Sequence, residues 1–146
     1  MSAPLDPPPL RIPPPDSVRR GAWLVLLEAA GLLVLAVAGV VSGWGDAETS
    51  FGRLAAQTGY YVVLAVLVGA CALALLDGRR WGRTPAFLVQ VVMVLIGVWL
   101  IVPSQRWFWG PVVIALGVVT GTQLLSRSAN AWIERFPTPF GPEPRR

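Results

Sequence analysis

Four stretches of this chain run almost without charge, and short polar breaks separate them. The first covers residues 21–43 and is opened by Arg19 and Arg20; the others cover about 54–76, 85–102 and 111–126. A bilayer hydrocarbon core of about 30 Å needs about 20 helical residues at about 1.5 Å each. The first two stretches meet that length and the third is slightly short. The fourth, 16 residues long, crosses only if it is extended or helped by interfacial neighbours. Thr84 reads as an N-cap with Pro85 at the first helical position, where a missing amide costs nothing, and Pro111 opens the fourth stretch in the same way. The pattern predicts an all-α polytopic membrane protein, a four-transmembrane-helix bundle over residues 19–126.

The flanks read differently. Residues 1–18 hold seven prolines, which fix φ and lack an amide donor, so this arm is expected to be extended polyproline II or disordered. Nothing in it has the build of a signal peptide, and the first apolar run is read as a retained helix. In residues 127–146, Ala129, Trp132, Ile133 and Phe136 fall on one helical face until Pro137 ends the pattern. That predicts a short amphipathic segment on the inner leaflet, with Arg127 and Arg135 toward lipid head groups and a Pro-rich end beyond.

Arginine placement sets the orientation. With the N-terminus inside, ten arginines (residues 11, 19, 20, 79, 80, 83, 127, 135, 145 and 146) face the cytoplasm, and only Arg53 and Arg106 lie outside. The positive-inside rule then puts both termini in the cytoplasm, N-in/C-in, in the cell's inner (plasma) membrane. Interfacial aromatics agree, with Trp23, Trp81 and Trp132 near the inner boundary and Trp44, Trp99, Trp107, Phe108 and Trp109 near the outer one. The compact basic hairpin of Arg79, Arg80, Trp81 and Arg83 beside Asp77 is accounted for by this topology. Anionic lipid head groups are its next reading.

Composition narrows the function classes. Hydrophobic residues make up 54% and charged residues 14%, against about 25% charged in an ordinary soluble domain; mean hydropathy is +0.59. The net charge of +4 does not point to nucleic acid, because the arginines flank apolar runs and form no stripe with interleaved aromatics. The chain has no His and one Cys, Cys71. Imidazole chemistry, His-metal sites, internal disulfides and Cys-pair metal motifs therefore fall away, and no cofactor is expected. Cys71 reads as a small packing residue.

Inside the spans, Glu28 is the most informative residue. It lies eight residues beyond Arg20, about 12 Å along a helix, where a carboxylate must be paired, protonated or hydrated. Gln90 and Gln123 sit at a related depth and could form one intramembrane polar layer with it, or each could make an ordinary interhelical hydrogen bond. Thr120 and Thr122 can satisfy their hydroxyls on their own helix. Small residues supply the helix-packing signal: Gly39 and Gly43 in the first span, Ala65 and Gly69 in the second, Gly117 and Gly121 in the fourth.

The stretch GRRWGRTPAFLVQVVMVLIGVWL, an Arg- and Trp-bearing turn followed by Thr-Pro and a Gln-containing apolar helix, resembles small uncharacterised four-helix integral membrane proteins of actinobacteria. The resemblance covers mainly residues 78–126 and implies no chemistry and no site residue. Size, short loops, small-residue faces and extended tails together lead to a non-catalytic accessory or assembly subunit of a larger membrane complex. Its expected partners are the lipid bilayer, other membrane subunits or further copies of itself. The alternative is a small oligomeric transporter or channel built on the Glu28 layer, with Gln57, Tyr60 and Tyr61 as the main polar groups toward the outer side. A membrane enzyme ranks third, lacking a paired carboxylate site and any nucleophile motif.

Overall fold

A computed structural model describes residues 11–44, 50–102 and 107–136. The described residues are all-helical: α1 (Asp16–Gly43), α2 (Phe51–Leu76), α3 (Arg83–Ile101), α4 (Trp109–Leu124) and the short α5 (Arg127–Ile133), with a 3-10 turn at Arg80–Gly82 leading into α3. Three helical stretches, Asp16–Gly43, Phe51–Leu76 and Arg80–Ile101, are long and apolar enough to cross a membrane. A fourth qualifies only if α4 and α5, which meet at a 48° bend, are counted together.

The helices begin earlier than the apolar runs, for local reasons. Pro15 is extended and lets α1 start at Asp16; Arg19 and Arg20 point outward in its first turns, so hydropathy does not register them as helix. Ser50 caps α2, its hydroxyl accepting from the Arg53 amide at 3.3 Å. The capping expected from Thr84 is not what is found. The 3-10 turn runs straight into α3, Gly82 holds the cap position, and Pro85 is the third helical residue. Pro111 likewise lies third in α4. Both prolines remain within the first turn, whose amides have no intrahelical acceptor in any case.

Two antiparallel hairpins make up the body. α1 packs along α2 and α3 along α4, and the hairpins meet chiefly where α1 crosses α4. The α3–α4 hairpin is closest at Gly97 and Gly110. A Cβ on Gly97 would lie 2.5 Å from Ile114 Cγ1 and 2.9 Å from the Gly110 carbonyl oxygen, and one on Gly110 would lie 2.8 Å from the Gly97 carbonyl oxygen. Further along, Gly117 sits against Gln90, Met93 and Val94, and Gly121 against Gln90 and Phe87. In the other hairpin Ala65 is buried, Gly69 approaches Ala29, and Gly39 faces the amide of Gln57. Gly43 is the half-buried last residue of α1. Gly97 and Gly110 do not show in a search for GxxxG because they belong to different helices.

The first and last of the described residues and the α2–α3 turn gather at one end of the bundle. The extended residues 11–15 lie across this end: the Ile12 amide donates to the Gly78 carbonyl at 3.1 Å, and Trp132 Nε1 donates to the Ile12 carbonyl at 3.0 Å. Gly78 has φ +75° and lies so close to the Ile12 carbonyl that any Cβ would collide with it, which makes it a position for glycine on two counts. Ala129 and Trp132, on the apolar face of α5, and Phe136 just beyond it are buried in the core with Val18, Ala22 and Leu75, and Ile12 packs beside them. This corrects the expectation that the face lies on the leaflet. The sequence periodicity marks an apolar face but does not say whether lipid or protein covers it. Trp132, 1% exposed, is therefore a core residue and not part of an interfacial belt.

Candidate functional site

Among the described residues, the buried polar side chains are Glu28, Gln90 and Thr120. They come from three helices and meet at one point. Gln90 Nε2 donates to Glu28 Oε2 at 2.8 Å, and Thr120 Oγ1 donates to Glu28 Oε1 at 3.2 Å. Each carboxyl oxygen of Glu28 thus has one protein donor, one from each helix of the α3–α4 hairpin. Gln90 Nε2 also lies 3.3 Å from the Ala86 carbonyl of its own helix, while Gln90 Oε1 is buried with no hydrogen-bonding partner. Glu28 is 7% exposed, Gln90 2% and Thr120 not at all.

Helix geometry explains why these three meet. Gln90 lies seven residues from Arg83, about 10 Å along α3, and Thr120 lies four residues, about 6 Å, before Leu124, the last residue of α4. Glu28, eight beyond Arg20, is at nearly the same depth. Gln123 is one turn closer to the α5 end of α4. It is half-buried, with its Cβ beside Gly21 of α1, and it does not bond to Glu28. Of the expected polar layer, the structure brings Glu28 and Gln90 together, leaves Gln123 out, and puts Thr120 in its place. The count from the helix end puts Thr120 at the right depth, and the rotation of α4 turns it toward Glu28. Thr122 does turn back on its own helix, donating to the Val119 carbonyl at 2.8 Å.

The arginines divide into distinct groups. Arg83 turns inward, its Nε donating to the Leu124 carbonyl at 2.8 Å, and its terminal nitrogen meets Asn130 Oδ1. It caps the C-terminal end of α4, where unsatisfied carbonyls and the helix dipole favour a cation. Arg80 stacks over the Phe136 ring at 5.9 Å. Both are thus held by the protein at the end where lipid head groups were expected to engage them. Arg127 and Arg135 are exposed. Arg79 remains at the surface, its Nε 2.9 Å from Asp77 Oδ2, while Arg11 Nη1 is 3.1 Å from Asp77 Oδ1.

One outward feature escaped the sequence reading. Gly52, Ala55 and Gly59 follow the i, i+3, i+7 spacing of one helical face on α2, and all three are exposed. A Cβ on Gly52 or Gly59 would meet nothing within 4 Å, and the same holds for Gly31 on α1. No family model, curated protein or solved structure matches this chain, so the reading of its function rests on its own geometry.

Proposed function

We propose that this chain is a non-catalytic integral membrane protein that serves as an accessory or assembly subunit of a larger complex. It crosses the plasma membrane four times and keeps both termini in the cytoplasm. The observation that carries this reading is the state of its buried acid. Both oxygens of Glu28 accept from donors of the same chain, Gln90 and Thr120, so the layer works as a clamp between two hairpins. An ion path would need polar groups continuing past this layer. Among the described residues no buried polar side chain continues it: Gln57 and Tyr60 are exposed and Tyr61 is half-buried.

A contact outside the chain is supported by the Gly52, Ala55 and Gly59 face. A glycine inside a helix costs roughly 0.5–1 kcal/mol relative to alanine, and at Gly59 no contact within the chain offsets that cost. Small outward residues let another helix backbone approach closely within the bilayer. The test is purification of the full chain in mild detergent with mass spectrometry of associated proteins, for wild type and Gly59→Leu. We expect a stoichiometric membrane partner, or a second copy, that the substitution removes while the chain still folds. A lone monomer in both preparations would sink the proposal.

A further inference from the structure

We infer that the groove beside Trp81 is a binding site for an anionic phospholipid, whose phosphate is engaged by the outward nitrogens of Arg11 and Arg79; this rests on the membrane reading above. The groove runs along the last turns of α2, and its volume is about 600 Å³. Its apolar lining comes from Ala70, Leu73, Ala74, Leu76 and Trp81, and its polar lining from Asp77 and Arg79. That size lies within the roughly 300–1,000 Å³ of small-molecule pockets. The walls suit an acyl chain, and the exposed Trp81 indole suits the interfacial zone just above it.

The mouth is built, and this distinguishes it from the other arginines at that end. One carboxylate, Asp77, gathers two guanidinium groups, Arg11 on Oδ1 at 3.1 Å and Arg79 on Oδ2 at 2.9 Å. Arg11 is delivered by the extended N-terminal segment, which Ile12 pins to Gly78. Arg79 engages Asp77 through Nε, which leaves its two terminal nitrogens for another acceptor. Two cations around one anion give a net charge of +1 at fixed positions, and a phosphodiester presents paired oxygens that suit guanidinium donors. A zwitterionic head group adds an ammonium group next to the arginines, so a head group of net negative charge is favoured. The segment containing Arg11 therefore does more than pin residues 11–15 across the bundle: it completes the site.

The experiment uses the full chain in nanodiscs of phosphatidylcholine containing phosphatidylglycerol, with the lipids retained after detergent extraction measured by native mass spectrometry. Wild type should retain phosphatidylglycerol above its bulk fraction. Arg79→Gln should lower that enrichment about fivefold, corresponding to about 1 kcal/mol for one arginine at a membrane surface. Ala70→Trp, at an exposed lining position, should abolish it by filling the groove. Arg127→Gln, an equal charge change on the exposed surface of α5, should leave it unchanged. Asp77→Asn is the sharpest arm: an ordered site loses retention when its organising carboxylate goes, whereas a diffuse basic surface gains retention from the added net positive charge. Increased retention in Asp77→Asn, or equal losses in Arg79→Gln and Arg127→Gln, would overturn the site. Alkaline extraction of the same membranes keeps the two readings apart, because a chain released by it refutes membrane insertion and the site falls for that reason alone.

Discussion

At the level of Glu28, helices α1, α3 and α4 meet through side-chain hydrogen bonds. At Gly97 and Gly110, toward the other end of the α3–α4 hairpin, two helix backbones approach closely, with the Ile101 and Ile114 side chains packed over the two glycines. Both regions solve the same problem. Within a bilayer the apolar effect does not drive helices together, so association depends on close packing and on interhelical hydrogen bonds. The Gly97 region uses shape: each glycine removes the atom that would otherwise collide with the opposing carbonyl. The Glu28 region uses chemistry, and it joins elements that packing alone couples weakly, since α1 and α3 have little other contact. Shape holds a hairpin together, and the polar clamp holds the two hairpins in register.

The two regions should therefore break differently. The largest effect is expected from Gly97→Leu, which drives a side chain into Ile114 and the Gly110 carbonyl; overpacking of this kind costs about 3 kcal/mol. Reversible unfolding in mixed micelles measures it, and a loss below about 1 kcal/mol would show that the hairpin can separate without penalty. Glu28→Ala should follow at about 2 kcal/mol, because two buried donors lose their acceptor. Its distinctive sign is a change in the α1–α3 distance, read by spin labels, with the α3–α4 distance unchanged. If both distances move together, the separation drawn here between clamp and hairpin is wrong.

Glu28→Gln should have the smallest effect, within about 0.6 kcal/mol of wild type, the scale of an average interhelical hydrogen bond in a membrane. Its amide oxygen still accepts from Gln90. The new amide nitrogen can donate to Thr120, whose hydroxyl can also accept. The same substitution also separates the two functional readings. A clamp tolerates it, whereas a proton- or ion-handling acid would lose flux in reconstituted vesicles while remaining folded. Measured flux in wild type that disappears in Glu28→Gln would replace the accessory-subunit reading with the transporter.

Much of the architecture is legible in the sequence. Apolar length and hydropathy place the helices to within a few residues, because a membrane-crossing helix must satisfy its own backbone and present an apolar surface along its whole length. The isolated position of Glu28 marked it as a residue in need of partners, and Gln90 stood at the right depth to be one. Thr120 was passed over because a threonine can bond within its own helix. The choice between a local and an interhelical acceptor depends on which face of α4 meets α1.

The remaining features depend on packing. A count of residues along α4 cannot say that Gln123 faces Gly21 while Thr120 faces Glu28, since that is set by the rotation of the helix against its neighbours. The apolar face of α5 is visible in the spacing of Ala129, Trp132 and Phe136, but its covering by Ile12 and the bundle requires the N-terminal segment to come back across the α2–α3 turn. The pairing of Arg11 with Asp77 spans 66 positions, and Gly97 meets Gly110 across a helical hairpin. Sequence periodicity records the surface each helix offers. The partner for that surface is fixed when the helices pack, because only then do distant residues share a distance short enough for a hydrogen bond or a van der Waals contact.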